Sequence, residues 1–376
     1  MSKDSGADTK VQEASAPAHI PFVWIVKRDD TKKARAYIIR AAAFVGALLT
    51  GAVLILAMGL NPLLVYRDMA SGSLGGALGR TETVRIAVPL LVTAMGIGLA
   101  FKMRFWNIGA EGQIIAGAMA ATWFALFSGL SSPLMLIAML LAAMITGGLW
   151  GLIPAFFKAR WNTNETLFTL MLNYIALEIV RYFQNGPWRD PKQRGFPKIA
   201  IFGDAARLPR VFGVHIGWII ALVLVALVYV YMKKTKHGYE ITVVGESLPT
   251  ARYAGMNVGR VFLRTMFLSG ALCGLTGFLL VSGSNYTLSE SVTGGVGFTA
   301  ITVAWLSKLN PVVMIAVSLF IAILQRGANT VQTTFKLPSS AADILTGLIL
   351  FFMLGCEFFL RYRLVFRRRK EGARHG

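Results

Sequence analysis

Acidic residues are scarce in this chain: 18 Asp and Glu stand against 38 Lys and Arg in 376 residues, and charged residues of both signs make up 15%. Cysteine is scarcer, with two residues, Cys273 and Cys356, both in apolar stretches. That excludes a disulfide framework and a zinc-type spacing, so both are expected to be buried free thiols. The four histidines, His19, His215, His237 and His375, fall in tails, in loops or at the edge of an apolar segment. A proton relay of imidazoles deep in a membrane is therefore not encoded. No G-x-x-x-x-G-K-[ST] phosphate loop occurs, which removes ATP hydrolysis by that route. The Asp-Asp pair, Asp29-Asp30, precedes the first apolar segment, where it cannot provide the paired aspartates that metal-diphosphate chemistry in a bilayer needs. No hydrophobic leader opens the sequence, and the small, polar residues 1–18 read as a disordered cytoplasmic tail that is not cleaved.

What is present is apolar. Hydrophobic residues make up 55%, and the mean hydropathy is +0.59, values of a polytopic helical membrane protein. The net charge of +20 would indicate nucleic acid in a soluble protein. Here the cations gather at segment ends: Lys27, Arg28, Lys32, Lys33 and Arg35 before the first apolar stretch, and Arg367, Arg368, Arg369 and Lys370 after the last. Topology and contact with anionic lipid explain them without a nucleic-acid partner.

Apolar segments fall at 37–60, 84–101, 108–127, 133–157, 167–183, 214–232, 262–282, 297–306, 311–324 and 341–360. The expected architecture is all-α: a polytopic transmembrane helical bundle of about ten spans, with two related halves and broken helices. Loops carrying Lys102 and Arg104, Lys158 and Arg160, the stretch 233–260, and Lys308 fall on one side, with both termini. The loops at 128–132 and 284–295, which hold no Lys or Arg, fall on the other. The positive-inside rule makes the first side cytoplasmic. The stretch 185–213 is basic yet assigned outside, because long loops obey that rule weakly. The division is a cytoplasmic tail at 1–36, a permease domain at 37–360 containing a cytoplasmic coupling loop at 233–262, and a basic cytoplasmic tail at 361–376.

The segment 297–306 is too short to cross unaided, since ten residues rise only about 15 Å against roughly 30 Å of hydrocarbon. Glycines precede it at Gly294, Gly295 and Gly297, as Gly109 and Gly112 punctuate the first half. Paired interruptions of this kind mark a path between two repeats, although small residues also serve simple close packing. The first interruption, Asn107-Ile108-Gly109-Ala110-Glu111-Gly112-Gln113, places a carboxylate and two amides beside lipid-compatible sequence. Such groups need a pathway, a ligand or a protein partner. Glu178 and Arg181, three apart on one helix face, are set to pair with each other. In the coupling loop, Ser247 is placed to cap a short helix with Pro249 in its first turn and Gly255 at its end. That helix reads equally as a docking element or an amphipathic connector.

The run Arg104-Phe105-Trp106-Asn107-Ile108-Gly109-Ala110-Glu111-Gly112-Gln113, followed by Gly117-Ala118, resembles the signature of ABC-importer permeases of the branched-chain amino acid and simple-sugar superfamily. Asn164-Glu165-Thr166 leading to Thr169-Leu170-Met171-Leu172-Asn173-Tyr174-Ile175-Ala176 resembles its nucleoside branch, which works with a basic-membrane-protein type lipoprotein. The stretch 245–258 is similar to the superfamily's coupling segment, and Gly297-Phe298 with Ile301, Val303-Ala304, Leu306, Asn310 and Pro311 to its later motif. The chain departs from the pattern at Glu246-Ser247-Leu248-Pro249, at Trp305 and at Ser307.

The resemblance implies a permease in the bacterial inner membrane that hydrolyses nothing itself and works by alternating access. Its implied partners are a cytoplasmic ABC ATPase, a second homologous permease and an external lipoprotein or periplasmic binding protein. ATP and Mg would be held on the ATPase, with no cofactor or metal on this chain. Glu246, Ser247, Arg252, Tyr253 and Gly255 would form the ATPase coupling site. Asn107, Glu111, Gln113, Asn173, Tyr174 and Trp305 are candidates for the substrate path, amides suiting the donors and acceptors of a nucleoside and aromatic rings its base. Two alternatives stand beside these roles: Glu111 and Gln113 can pin neighbouring helices, and tryptophans can anchor at the interface. A simple-sugar importer is the alternative function, and a cation-coupled carrier the alternative from another class.

Overall fold

The computed structural model describes residues 23–27, 33–192 and 195–366. The expected tail at 1–18 and the basic cluster at 367–370 lie outside the described residues. A strand, β1 (Val23–Lys27), precedes α1 (Lys33–Ala57). The chain then folds back into α2 (Pro62–Leu74), whose start is set by Asn61: its side chain accepts from Leu63 N at 3.0 Å, and Pro62 sits in the first turn, where a missing N–H costs nothing. Next come α3 (Gly76–Lys102), α4 (Ala110–Phe127), α5 (Ser132–Trp161) and α6 (Glu165–Asn185). A small hairpin, β2 (Arg210–Val211) and β3 (Val214–His215), leads into α7 (Gly217–Lys234). Two short helices follow, α8 (Lys236–Glu246) and α9 (Leu248–Tyr253), and then α10 (Val258–Leu279), extended by a π-helical turn at Leu280–Asn285. The chain closes with α11 (Val296–Leu306), α12 (Pro311–Phe335), α13 (Ser339–Arg361) and β4 (Tyr362–Phe366), which pairs antiparallel with β1, Val23 facing Phe366.

Each of the ten apolar segments coincides with a helix, and the all-α bundle is the architecture observed. Among the described residues, eight helices are long and apolar enough to cross a bilayer. α1 with α2 makes a ninth candidate, bent by 114° at the break between Ala57 and Pro62, so the chain folds back just after the first expected span. α11, with 11 residues, remains short.

Two helices form the centre. The apolar windows of α3 and α10 are 83% and 89% buried, against 28% for α5 and α6. α10 packs on α5, α4 and α3, while α3 packs on α12, α10 and α11. Each central helix thus lies against the second and third helices of the other half, a reciprocal arrangement of two related, interlocked halves. The contacts are close because glycine stands where backbones meet. A Cβ on Gly117 or Gly274 would enter the backbone of the facing helix, and one on Gly147 would lie 2.6 Å from Gly274 Cα.

The long connection between α6 and α7, expected as a simple external loop, is a folded cover. Phe202 N donates to Tyr286 O at 2.8 Å and Leu208 N to Ser282 O at 3.0 Å, so the segment caps the π-helical end of α10. Ile199, Phe202 and Leu208 are buried beneath it. His215 is buried here too, against Gly283 and Gly217, with Nδ1 accepting from Gly217 N at 3.2 Å and Nε2 without a partner. Burial, reinforced by the positive charges of Arg85 and Arg210, lowers its pKa to about 4.

Two measurements test this packing. Gly274→Val should lower the thermal unfolding temperature of the purified chain and its folded yield, overpacking costing about 1–3 kcal/mol or more; Gly347→Val, with open space around it, should leave both nearly unchanged. Equal tolerance at the two positions would contradict the interlock. The unfolded chain protonates His215 near pH 6.5 but the folded chain only near pH 4, so stability present above pH 6.5 is lost as pH falls toward 4, by on the order of 3 kcal/mol. Unfolding temperatures measured across that window should decline in the native chain, and His215→Gln should flatten that part of the slope.

Candidate functional site

The site begins where α3 stops. Met103 N donates to Ala100 O, Arg104 takes a left-handed conformation with φ of 57°, and Phe105 N donates back to Ala100 O at 3.1 Å. The chain then runs without helix through Phe105–Gly109 before α4 starts at Ala110. Backbone groups left free by that break lie inside protein at membrane depth, where water cannot satisfy them. Side chains do so instead. Asn107 Oδ1 accepts from Gly109 N at 3.0 Å, closing a local turn. Asn107 and Gln113 exchange two amide hydrogen bonds, at 3.2 and 3.3 Å, and Asn107 Nδ2 also reaches Ser269 Oγ of α10 at 3.3 Å. From α6, Thr169 Oγ1 accepts from Ile108 N at 3.2 Å, Asn173 Nδ2 donates to Ile108 O at 2.9 Å, and Asn173 Oδ1 accepts from Gly112 N at 2.8 Å.

Glu111 extends the network to the second half. Its Oε1 accepts from Gly297 N at 3.1 Å, so the first turn of α4 caps the start of α11. Its Oε2 is buried without a hydrogen-bond partner. The carboxylate lies between the first turns of α4 and α11.

Asn107, Glu111, Gln113 and Asn173 are thus gathered in one buried cluster, between 0% and 7% exposed, bonded to one another and to backbone. Their bonds tie α4, α6, α10 and α11 together, and for Glu111 and Gln113 such pinning is the alternative that the sequence left open. Tyr174, beside Asn173 in α6, points the other way and is 60% exposed. Trp305 belongs to a separate group: its ring stacks on Trp106 at 5.6 Å, with Phe101 against both. Depth follows from α10. Arg264 pairs with Glu240 of α8 at 2.8 Å, and Ser269, the partner of Asn107, lies five residues on, about 8 Å further in. Asn107 therefore lies nearer the α8 end of α10 than its π-helical end.

A face not singled out in the sequence completes the picture. Tyr174, Glu178, Arg181, Tyr182 and Asn185 all lie on the exposed side of α6, opposite Thr169, Asn173, Ala176 and Val180. Glu178 pairs with Arg181 as expected, at 2.6 Å, and Arg181 also binds Glu290 at 2.7 Å. Beside them opens a cavity of about 700 Å³, lined by Arg181, Gln184 and Asn185 and by Ser289, Glu290 and Ser291. The three-to-four spacing of the polar and aromatic residues was the available signal, but it does not say which face turns outward. Asn164-Glu165-Thr166 proves architectural: Asn164 caps α6 through Thr166 N and Leu167 N, and Glu165 pairs with Lys158 of α5 at 2.9 Å.

At the opposite end, Thr235 caps α8 and Ser247 caps α9, its Oγ accepting from Thr250 N at 3.3 Å. Pro249 stands in the first turn, and Gly255 follows the helix with φ of 74°. Glu246, Arg252 and Gly255 are exposed, Ser247 is half-buried, and Tyr253 is 97% exposed. α8 is fixed to the core: the Glu240 carboxyl, held below its ordinary range chiefly by Arg264, anchors it to α10, and Gly245 packs on the Lys102 carbonyl.

Eight helices of membrane-crossing length among the described residues, with interlocked halves and a buried helix break, form the bundle of a polytopic membrane protein. The family described as branched-chain amino acid transport system, permease component, matches residues 80–354, and the chain belongs to it. It is a permease subunit of an ABC importer, and the ATPase of such a system is a separate subunit. Similar proteins include a glucose ABC transporter permease of Haloferax volcanii, 36% identical over 342 residues, covering 87% of this chain and 90% of that protein. A nucleoside ABC transporter permease of Lactococcus lactis is 31% identical over 335 residues, 85% and 91% of the two chains. A guanosine ABC transporter permease of Bacillus subtilis is 29% identical over 342 residues, 88% and 96%.

The buried cluster predicts an ordered substitution series. Glu111→Gln keeps an oxygen acceptor for Gly297 N and should unfold in SDS near the native midpoint, whereas Glu111→Ala should lose about 1–3 kcal/mol. Asn173→Leu strands a donor and an acceptor together and should cost more than Glu111→Ala. A Gln variant as damaged as the Ala variant would show that the charge, not the cap, is what matters.

Proposed function

We propose that this chain is one half of the translocation path of a nucleoside importer in a bacterial inner membrane, with both termini cytoplasmic. The observation that carries this is the exposed face of α6. A carboxylate and a guanidinium facing hydrocarbon would be costly, so that face belongs to a passage or to a second permease closing one. Tyr174 and Tyr182 offer rings on which a base can stack, and Glu178 can accept from ribose hydroxyls. The nucleoside and guanosine permeases among its relatives support the same substrate class.

Substrate would arrive from an external lipoprotein or periplasmic binding protein at the end holding the 700 Å³ cavity beside Arg181. α9 would dock on the cytoplasmic ATPase, with Tyr253 and Arg252 as contacts, and Glu246, Ser247 and Gly255 completing the coupling segment. ATP and Mg would be bound by that ATPase, with neither cofactor nor metal required on this chain. Nucleotide-driven closure would then move the helices through α8. A simple sugar is the second reading, favoured by the 36% identity to the glucose permease. A cation-coupled carrier does not fit the family.

Reconstitution with the ATPase, second permease and binding protein tests both parts. ATP-dependent uptake of nucleosides but not hexoses is expected, with Tyr174→Ala and Tyr182→Ala together lowering it tenfold or more while the complex stays assembled. Hexose uptake alone would establish the second reading. Arg252→Ala with Tyr253→Ala should cut ATPase co-purification at least tenfold without reducing membrane insertion; unchanged association would remove α9 as the docking helix.

A further inference from the structure

A second cavity opens at the α8–α9 end, away from the exposed face of α6. It measures about 300 Å³ and lies where the end of α3, the end of α11 and α8 converge. Its wall is the stacked pair Trp106 and Trp305, whose rings are 27° from parallel. Trp106 is 45% exposed and lines the cavity. Lys102 and Arg104 line the same cavity, and among the described residues neither has an ion-pair partner. From α8, Thr242 and Glu246 complete the rim.

Aromatic faces attract flat rings, and neighbouring cations attract an anionic group attached to them. Glu246 and Thr242, both from α8, supply acceptors for amino or hydroxyl groups. The volume is at the small end for ligand pockets and accommodates a ring with a sugar-sized extension. We infer that this cavity binds a planar heteroaromatic compound carrying a phosphate, of nucleoside monophosphate size. The phosphate lies between Lys102 and Arg104, the ring lies against the Trp106–Trp305 pair, and the remaining polar groups meet Thr242 and Glu246. A molecule so placed touches the end of α3 and α8 together, at the point where Gly245 already rests on Lys102. It would hold the arm against the core, so occupancy restrains the element through which the permease is driven. The site is separate from the α6 face, and the inference stands whichever substrate is carried.

The test uses the purified full-length chain in phosphatidylcholine nanodiscs, without ATPase or binding protein. Adenosine monophosphate should quench tryptophan fluorescence saturably and raise the unfolding temperature. Adenosine and inorganic phosphate should each bind at least tenfold more weakly. Lys102→Gln with Arg104→Gln should weaken the monophosphate at least tenfold while leaving the ligand-free unfolding temperature unchanged, and Trp305→Leu should weaken it through loss of the stack. No saturable quenching, or binding undiminished in both variants, overturns the site. So does equal affinity for phosphate alone, which would leave the ring without a role. Equivalent quenching by nanodiscs containing phosphatidylglycerol, with no nucleotide added, would assign the cations to a lipid headgroup and likewise overturn it. Because uptake is not measured, these outcomes are independent of the nucleoside reading.

Discussion

A helix break at membrane depth must satisfy its own backbone, and the rest of this structure depends on how that is done. Each polar group left unpaired in hydrocarbon costs several kcal/mol, so α3 cannot simply end and α4 begin. Thr169 and Asn173 of α6 close the gap at Ile108 and Gly112, and Ser269 of α10 holds Asn107. Glu111 carries the connection to Gly297 in the second half. The glycines of the run are required by these approaches: a Cβ on Gly109 would lie 2.9 Å from Thr169 Cβ, and one on Gly112 would lie 3.0 Å from Asn173 Oδ1. A sequence that looks like a polar anomaly is therefore a joint among α4, α6, α10 and α11.

Much of this was legible because hydropathy and chain stops are local. Ten apolar stretches became ten helices, the short 297–306 segment remained short, and the Ser247, Pro249 and Gly255 signals delimit α9 as their chemistry requires. What was not legible depends on neighbours distant in sequence. Asn173 and Tyr174 are adjacent, yet one turns to Gly112 and the other to the outside, a choice set by where α4 lies. Asn107 and Gln113 bond each other, while Glu111 and Asn173 are engaged with backbone that lies far off in sequence. The bend into α2, the separate α8 and the folded cover before α7 escaped for the same reason: each is short or weakly apolar, and its conformation is fixed by the surface it covers.

The charged pairs occupy a different energetic class from the glycine contacts. Glu178–Arg181–Glu290 is largely exposed, and exposed pairs add little to stability. Such pairs can therefore be broken and remade at small cost. The glycine contacts of α10 with α4 and α5 are backbone against backbone, and any change there forces a shift of whole helices, since packed interiors are not continuously deformable. Rearrangement is thus cheap on the α6 surface and costly at the centre.

That division constrains how force can pass through the permease. α8 meets the core through Gly245 on the end of α3, through Glu240 on Arg264 of α10, and through Ile241 and Val244, buried among residues of both helices. These are the two most buried helices, and both lead directly to the joint at Asn107. A displacement of the arm therefore enters at the rigid centre rather than at the compliant surface. Because α3 and α10 each pack on the other half, they cannot move without carrying both halves together. The compliant contacts lie at the far end of α6, around Arg181 and Glu290, where the bundle can change its outer shape without unsatisfying a buried group. The chemistry that closes the helix break thus also ties α3 and α10 to both halves at the centre.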